Sequence, residues 1–352
     1  MNRDKVLITG VTGQDGALLA KMLLNLDKEV FGTFRKTSGD NFWRLREIGI
    51  LNEINLVHYQ VGQGEELAKA IKQNQFSQIY HLCGDSMAAS SLLHPYQTMN
   101  TNVQGLIEVL ECVRKFSKET RIFVAASSEV FDTSELSSKS NFMVDENYRK
   151  KPRNPYGVAS LSNMALVEVY RDNFNLKISL GIMFNHESNL RGDLFVSKKI
   201  TKGLAKVKYL GGEPLQIGSF DSCRDWSSAT DLIAAMHLML DSQLYDNFVL
   251  ASGKIHKVRD ILKIASQVLG YDISFEGKGS NEIMVDSKSG KILVQVAQKF
   301  HRKFDKYSIS GNTSKFSKIS GWSPKITFDE LISDMAKFDA KNFSKFNNKL
   351  GK

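Results

Sequence analysis

Three glycines spaced by three, Gly10, Gly13 and Gly16, stand between a short apolar run and the first helical pattern of the chain. Glycine permits a tight turn there and lets the backbone approach a pyrophosphate, which meets free amides at the helix start. With Thr12, Gln14 and Asp15 between them, the glycines form a candidate dinucleotide cradle. A glycine triplet alone is a weak signal; placed between strand and helix at the head of a βαβ series it is a specific one. At the end of the second strand, where an acidic residue would bond the ribose hydroxyls of NAD, the chain reads Phe34-Arg35-Lys36-Thr37-Ser38. Two cations and two hydroxyls suit a 2′-phosphate, so NADP is expected, with NAD as the alternative and a plain solvated strand end as the structural one. Ser127-Ser128-Glu129 comes just past another strand end, where a doubly wound sheet places its site.

The elements that must hold these residues alternate in type. Lys5–Thr9, Glu29–Phe34, Ile54–Tyr59, Gln78–Leu82, Arg121–Ala125 and Lys177–Phe184 read as strands. Ala17–Asn25, Leu67–Lys72, Asn102–Phe116 and Pro155–Phe174 read as helices between them. Such alternation predicts an α/β fold, a Rossmann-like doubly wound parallel sheet covered on both faces. After about Arg191 the pattern loosens: helices are expected at Leu194–Ala205, Ala229–Asp241, Val258–Leu269 and Phe328–Phe338, and a short strand at Pro214–Ile217. The expected division is a dinucleotide-binding domain over 1–190, with some later segments contributing, then a smaller mixed α/β substrate-binding lobe over 191–340. Residues 341–352 are polar and lysine-rich and are expected to fray.

Composition narrows the function. With 352 residues, 42% hydrophobic and 24% charged, the chain has the balance of a globular protein with a sizeable core. Cys83, Cys112 and Cys223 are odd in number and match no metal or disulfide spacing, and the seven histidines form no cluster, so free thiols and no metal site are expected. No apolar run has the length of a signal core or a membrane span, which points to the cytoplasm and away from a membrane partner. The net charge of +9 is dispersed, without an arginine-rich stripe or an aromatic RNA-binding motif. It suits pockets for small polyanions better than nucleic acid.

Several segments together resemble the extended short-chain dehydrogenase/reductase (NAD-dependent epimerase/dehydratase) family, and within it the GDP-mannose 4,6-dehydratases. They are Leu7-Ile-Thr-Gly-Val-Thr-Gly-Gln-Asp-Gly16, Phe184-Asn-His-Glu-Ser188 with Arg191-Gly192, Ile217 to Trp226, Leu250-Ala-Ser-Gly253 and Gly321-Trp-Ser-Pro324. The resemblance runs from about residue 5 to residue 338. It implies a lyase that converts GDP-mannose to GDP-4-keto-6-deoxymannose with NADP and no net redox change. It also implies roles. Ser127, in the place of a family threonine, bonds the sugar's fourth hydroxyl beside Ser128. Glu129 takes the proton from the fifth carbon and delivers one to the leaving hydroxyl, its pKa raised in a water-poor cleft. Tyr156 is the base for the fourth hydroxyl. The cofactor set gains Leu82, Ser160 and His186. Asn185, Arg224 and Arg302 meet the sugar diphosphate, and Ser86, Arg191 and Lys199 complete the substrate side. Asn102 and Gly105 match a helix-start pair of architectural role. A homodimer or homotetramer built on two long helices, Asn102–Phe116 and Pro155–Phe174, is implied as well.

Three departures stand near the cofactor and the base. The family reads Tyr-x-x-x-Lys; this chain reads Tyr156-Gly-Val-Ala-Ser160. A serine can still donate to a ribose hydroxyl but brings no charge, and a free phenol of pKa about 10 is hardly ionised at neutral pH. Lys150, Lys151 or Arg153 are candidates to substitute in space. Gln60-Val61 replaces Gly-Asp, leaving Gln60 a weaker adenine partner, and Asp132 replaces glycine. Two further readings therefore stand beside the lyase: a sugar-nucleotide-binding homologue of little catalysis, and a reductase or epimerase on a related GDP-sugar.

Overall fold

The apolar run Lys5–Thr9 forms strand β1, with Val6, Leu7 and Ile8 fully buried. A strand apolar on both faces needs cover on both. The computed structural model describes residues 3–134, 142–300 and 308–350. Besides β1, its main sheet holds β2 (Glu29–Phe34), β3 (Asn55–His58), β4 (Gln78–His81), β5 (Arg121–Ser127), β7 (Lys177–Met183) and β11 (Asn247–Leu250). All seven strands are parallel, in the order β11-β7-β5-β4-β1-β2-β3. From β1 the chain winds outward to β3, then crosses back to β4 and winds the other way. The crevice at the carboxyl ends of β1 and β4 is thus the switch point of a Rossmann-like fold, as expected.

Helices α1 (Gln14–Asn25) and α9 (Ala229–Asp241) cover one face through Leu19, Leu23, Leu232 and Met236, joined by Leu45 of α2 (Trp43–Glu47) and Phe316 of α11 (Ser314–Ser320). Helices α3 (Glu65–Asn74), α6 (Gly105–Phe116) and α7 (Pro155–Phe174) cover the other through Leu67, Leu106, Leu110 and Val167. The helix expected from Asn102 begins earlier. It follows α4 (Ala88–Ser91) and α5 (Pro95–Met99) and passes through a π turn at Asn100–Gln104 before α6. Such turns reorient a side chain. Here Asn102 reaches the loop after β4, accepting from Asp85 N at 2.7 Å and donating to Asp85 O at 3.0 Å.

The division near Arg191 is interleaved: α9 and β11 return from the second half to complete the main sheet. The smaller lobe packs α8 (Val196–Leu210), α10 (Val258–Val268) and α12 (Phe328–Leu350) around a third apolar cluster. Its four-stranded sheet has the order β13 (Ile273–Glu276), β14 (Ile283–Asp286), β15 (Ile292–Val296), β9 (Leu215–Ile217). Between the two parts lie a three-stranded sheet, β12 (Ile255–Lys257), β10 (Cys223–Ser228), β8 (Asn185–Glu187), and a pair, β6 (Phe142–Val144) with β16 (Ile309–Gly311).

The helix expected at Phe328–Phe338 is longer: α12 continues to Leu350. Asp339 fastens it, accepting from Lys198 Nζ at 2.6 Å and Thr201 Oγ1 at 2.8 Å on α8, and Phe343 packs on the third cluster. Among the described residues no helix is long and apolar enough to cross a membrane.

Candidate active site

The switch-point crevice opens into a cavity of about 590 Å³ between the main sheet and the smaller lobe. Its floor is the glycine turn. Gly10 has φ +76°, and a Cβ there would come within 3.0 Å of Cys83 Cα; one on Gly16 would sit 2.5 Å from Gly10 O. No side chain caps α1 at Gly13, so the first amides of α1 are left for a ligand. Thr9 Oγ1 ties the turn to β4, accepting from Leu82 N at 3.2 Å and Cys83 N at 3.3 Å.

A strap over residues 185–192 crosses the start of α1. Gln14 Nε2 donates to His186 O at 3.2 Å, and Ser188 Oγ donates to Gln14 Oε1 at 2.8 Å. Arg44 adds two bonds, Nε to Leu190 O at 2.8 Å and Nη1 to Thr12 O at 3.1 Å. The His186 ring lies between two acceptors, Phe184 O at 2.7 Å from Nδ1 and Asp15 Oδ2 at 2.8 Å from Nε2. Two acceptors on the two ring nitrogens favour the doubly protonated ring. Burial opposes that charge and the Asp15 carboxylate overcomes it, raising the pKa of His186. Burial likewise opposes ionisation of Asp15, yet His186 brings its carboxyl down to about 2.

Ser127 ends β5 and caps the 3-10 turn Ser128–Val130, accepting from Glu129 N at 3.3 Å. Pro155 starts α7 at a position where its missing N–H is no loss. Asn154 caps that helix, accepting from Gly157 N at 2.9 Å, and donates to Glu129 Oε2 at 2.8 Å. A Cβ on Gly157 would lie 2.5 Å from Glu129 O, so only glycine lets α7 start this close to the turn. Tyr156 and Ser160 project from the first turns of α7 into the cleft. Burial pushes the Tyr156 phenol above its ordinary value; a hydrogen bond with Ser127 and the charge of Arg191 pull it back, while Glu129 and Asp15 push it further up. Glu129 is exposed, so the water-poor setting expected for it is absent with the cleft in this form.

The smaller lobe supplies the opposite wall. Parallel pairing of β8 with β10 sets Asn185 beside Trp226, and Asn185, Arg224 and Lys199 line the cavity. Burial and neighbouring Lys299 lower the pKa of Lys199, whose Nζ sits 3.6 Å over the Phe300 ring.

Of the residues singled out in the sequence, Gly10, Gly13, Gln14, Asp15, Gly16, Leu82 and Ser86 line this cavity. So do Ser127, Ser128, Glu129, Tyr156, Ser160, Asn185, His186, Arg191, Lys199 and Arg224. Thr12 and Arg35 do not: Thr12 offers only its carbonyl, to Arg44, and Arg35 is exposed at the end of β2. Arg302 lies outside the described residues. Gln60 is exposed away from the cavity. Lys150, Lys151 and Arg153 are not among its lining residues either; Lys150 Nζ instead donates to Glu146 O at 2.8 Å. Asp132 is structural, accepting from Ser134 N at 2.8 Å and pairing with Arg149. Arg44, Asp85, Asn154, Asn163 and Lys299 were not read as site residues. Asn154 alone had a signal, a cap residue directly before a helix-starting proline.

Comparison with known proteins agrees with this geometry. The family model described as GDP-mannose 4,6 dehydratase matches residues 7–335. The GDP-mannose 4,6 dehydratase of Drosophila melanogaster is 33% identical over 347 residues, covering 96% of this chain and 87% of the relative. The Homo sapiens enzyme of the same name is 32% identical, covering 96% and 92%. Among solved structures, dTDP-glucose 4,6-dehydratase from Bacillus anthracis in complex with NAD has a TM-score of 0.78 at 18% identity, over 97% of this chain and 98% of that one. RMD from Pseudomonas aeruginosa complexed with NADPH has a TM-score of 0.72 at 16% identity, over 96% and 99%. At such identities these structures speak for the fold alone.

Proposed function

Because the chain belongs to the GDP-mannose 4,6-dehydratase family, we propose that it is a lyase converting GDP-mannose to GDP-4-keto-6-deoxymannose with NADP. The observation that carries the reading is the convergence of Ser127, Glu129 and Tyr156 on one cavity, beside the uncapped amides of α1. The glycine turn fits a dinucleotide: a Cβ on Gly10 or Gly16 would fill the cradle, and the helix amides suit a pyrophosphate. Held at Gly10, Gly13 and Gly16 by the first amides of α1, the nicotinamide cofactor would supply a reversible hydride acceptor for the sugar.

The chain's own groups move the protons. Tyr156 takes the proton of the fourth hydroxyl as the ketone forms, with Ser127 holding that oxygen. The ketone acidifies the proton on the fifth carbon, and Glu129 removes it. Glu129 then gives a proton to the sixth hydroxyl, which leaves as water. Tyr156 returns its proton to the fifth carbon as the sixth is reduced, so neither residue nor cofactor is changed overall. Asn154 holds the Glu129 carboxylate in place, and Arg224, Lys199 and Asn185 suit the diphosphate end of the substrate. Arg35 and Lys36, exposed at the end of β2, are the groups for a 2′-phosphate. Exposed apolar side chains on and beside α7, among them Leu93, Tyr96, Val158 and Val169, support a homo-oligomer.

One observation favours a second reading, a binding homologue of little catalysis: the buried residue one turn after Tyr156 is Ser160, without charge. Incubation of the purified protein with GDP-mannose and NADP, followed by mass spectrometry, separates the two. Loss of one water with no net reduction of cofactor establishes the lyase. An unchanged sugar, bound tightly in calorimetry, points instead to the binding homologue or to a different reaction on a related nucleotide sugar.

A further inference from the structure

Three polar side chains share one stripe of α7. Tyr156, Ser160 and Asn163 stand at i, i+4 and i+7, so they project from the same face of the helix. All three line the cavity, with Ser160 only 4% exposed and Asn163 only 5%.

The two ends of the Asn163 amide differ. Its Nδ2 donates to Asn102 O at 3.1 Å. Its Oδ1 is buried and has no hydrogen-bond partner among the described residues. This orientation is fixed by its neighbour. Turning the amide over would set Oδ1 against the carbonyl of Asn102, two acceptors face to face. Asn102 is itself held in the π turn, its side chain accepting from Asp85 N at 2.7 Å and donating to Asp85 O at 3.0 Å. Its own Nδ2 is therefore committed and cannot serve Asn163. A buried amide oxygen without a partner is costly, and native structures rarely leave one unmet unless a ligand or an ordered water completes it. The oxygen is an acceptor only, so it selects a group that brings an O–H or N–H.

We propose that Asn163 is a cofactor-binding residue, its Oδ1 accepting from a hydroxyl of the nicotinamide ribose, with the Ser160 hydroxyl as the second contact. The inference rests on the dinucleotide part of the proposed function and not on the lyase chemistry. The glycine turn and the uncapped amides of α1 suit the pyrophosphate. Ser127, Glu129 and Tyr156 mark the reacting end. The ribose is what joins those two parts of a dinucleotide. Its two adjacent hydroxyls are donors, and they match an acceptor and a hydroxyl that stand three residues apart on one helix face. This chain thereby grips the ribose through neutral hydrogen bonds, and Ser160 does not act alone.

Calorimetry reads the contact without turnover. Two ligands are compared: NADPH, and adenosine 2′,5′-bisphosphate, which keeps the adenosine end and lacks the nicotinamide ribose. Asn163→Ala is expected to weaken NADPH about tenfold, the worth of one buried hydrogen bond, and to leave the bisphosphate unchanged. Should alanine unsettle the packing against Asn102, Asn163→Leu removes the same oxygen at nearly unchanged volume. An unaltered affinity for NADPH overturns the inference. So does an equal loss for both ligands, which would mark Asn163 as a structural residue only. A chain that binds NADPH through Asn163 but leaves GDP-mannose unchanged would sink the lyase and keep this contact. A chain that binds no NADPH would sink both.

Discussion

Asn154 donates to Glu129 Oε2 at 2.8 Å while its own side-chain oxygen caps the helix that carries Tyr156. One side chain thereby ties the proposed acid–base carboxylate to the proposed phenolic base. Asn154→Ala removes both bonds. The lost cap costs about 1 kcal/mol of stability, and the freed carboxylate should lower turnover by roughly tenfold, the lower end of what a positioned acid–base group contributes. Urea melts and kcat measurements check the two effects. A variant that loses stability but keeps full turnover would show that Glu129 needs no anchor.

Ser160→Lys in the otherwise unchanged chain is expected to raise dehydratase turnover, because it adds a cation one helical turn from the phenol. The gain should be largest at the acid end of the pH profile, where the least phenolate is present. No gain at any pH would mean that the phenol is already fully supported.

The Asp15–His186 pair makes stability depend on pH in two windows. The folded pKa of Asp15 is depressed to about 2, so its contribution is present above its ordinary value near 3.8 and is lost as the pH falls through the folded value. The pKa of His186 is raised above 6.5, so its contribution is complete below that value and is lost as the pH rises through the folded one. His186→Asn should therefore flatten the fall in melting temperature on the alkaline side of 6.5. A melting profile of unchanged slope there would show that the ring is not charged.

Lys198 and Asp339 form a buried ion pair, each side chain 4% exposed. Asp339→Ala leaves the ammonium buried and unpaired, a loss of about 3–5 kcal/mol, whereas replacing both residues by apolar ones of similar volume should be close to neutral. Chemical denaturation of the single and double variants measures the contrast. Equal losses in both would mean that the pair stabilises the fold outright.

Arg35→Asp should weaken NADP binding far more than NAD binding, as read by calorimetry. An equal effect on the two cofactors would remove Arg35 from the 2′-phosphate site. The test matters because Arg35 stands outside the cavity lined by the other residues expected to hold the cofactor.

Six of the seven strands of the main sheet were legible because they are short apolar runs separated by helical periods, and both patterns are local; β11, which returns from the second half of the chain, was not read. The short strands β8, β10 and β12 were not, because three to six residues with polar side chains at most of their positions carry no period to detect. The last helix was read as ending at Phe338 for a similar reason. Its surface composition resembles a tail, and the contact that holds it, Asp339 with Lys198, spans 141 positions.

What the sequence determined by itself is the chemistry available: a glycine turn at a strand end, a carboxylate and a hydroxyl after β5, a phenol at the start of α7, and a serine where a charge was expected. Those follow from residue type and short spacing, which act within a few residues of the backbone. Tertiary structure decided which groups face one another. It brought Asn154 to Glu129, closed His186 on Asp15 from 171 positions away, and left Lys150, Lys151 and Arg153 out of the lining of the cavity that holds Tyr156. The reason is physical. The crossover from β3 to β4 and the strap over α1 exist only once the apolar faces of the sheet are buried, and charges act through space rather than along the chain.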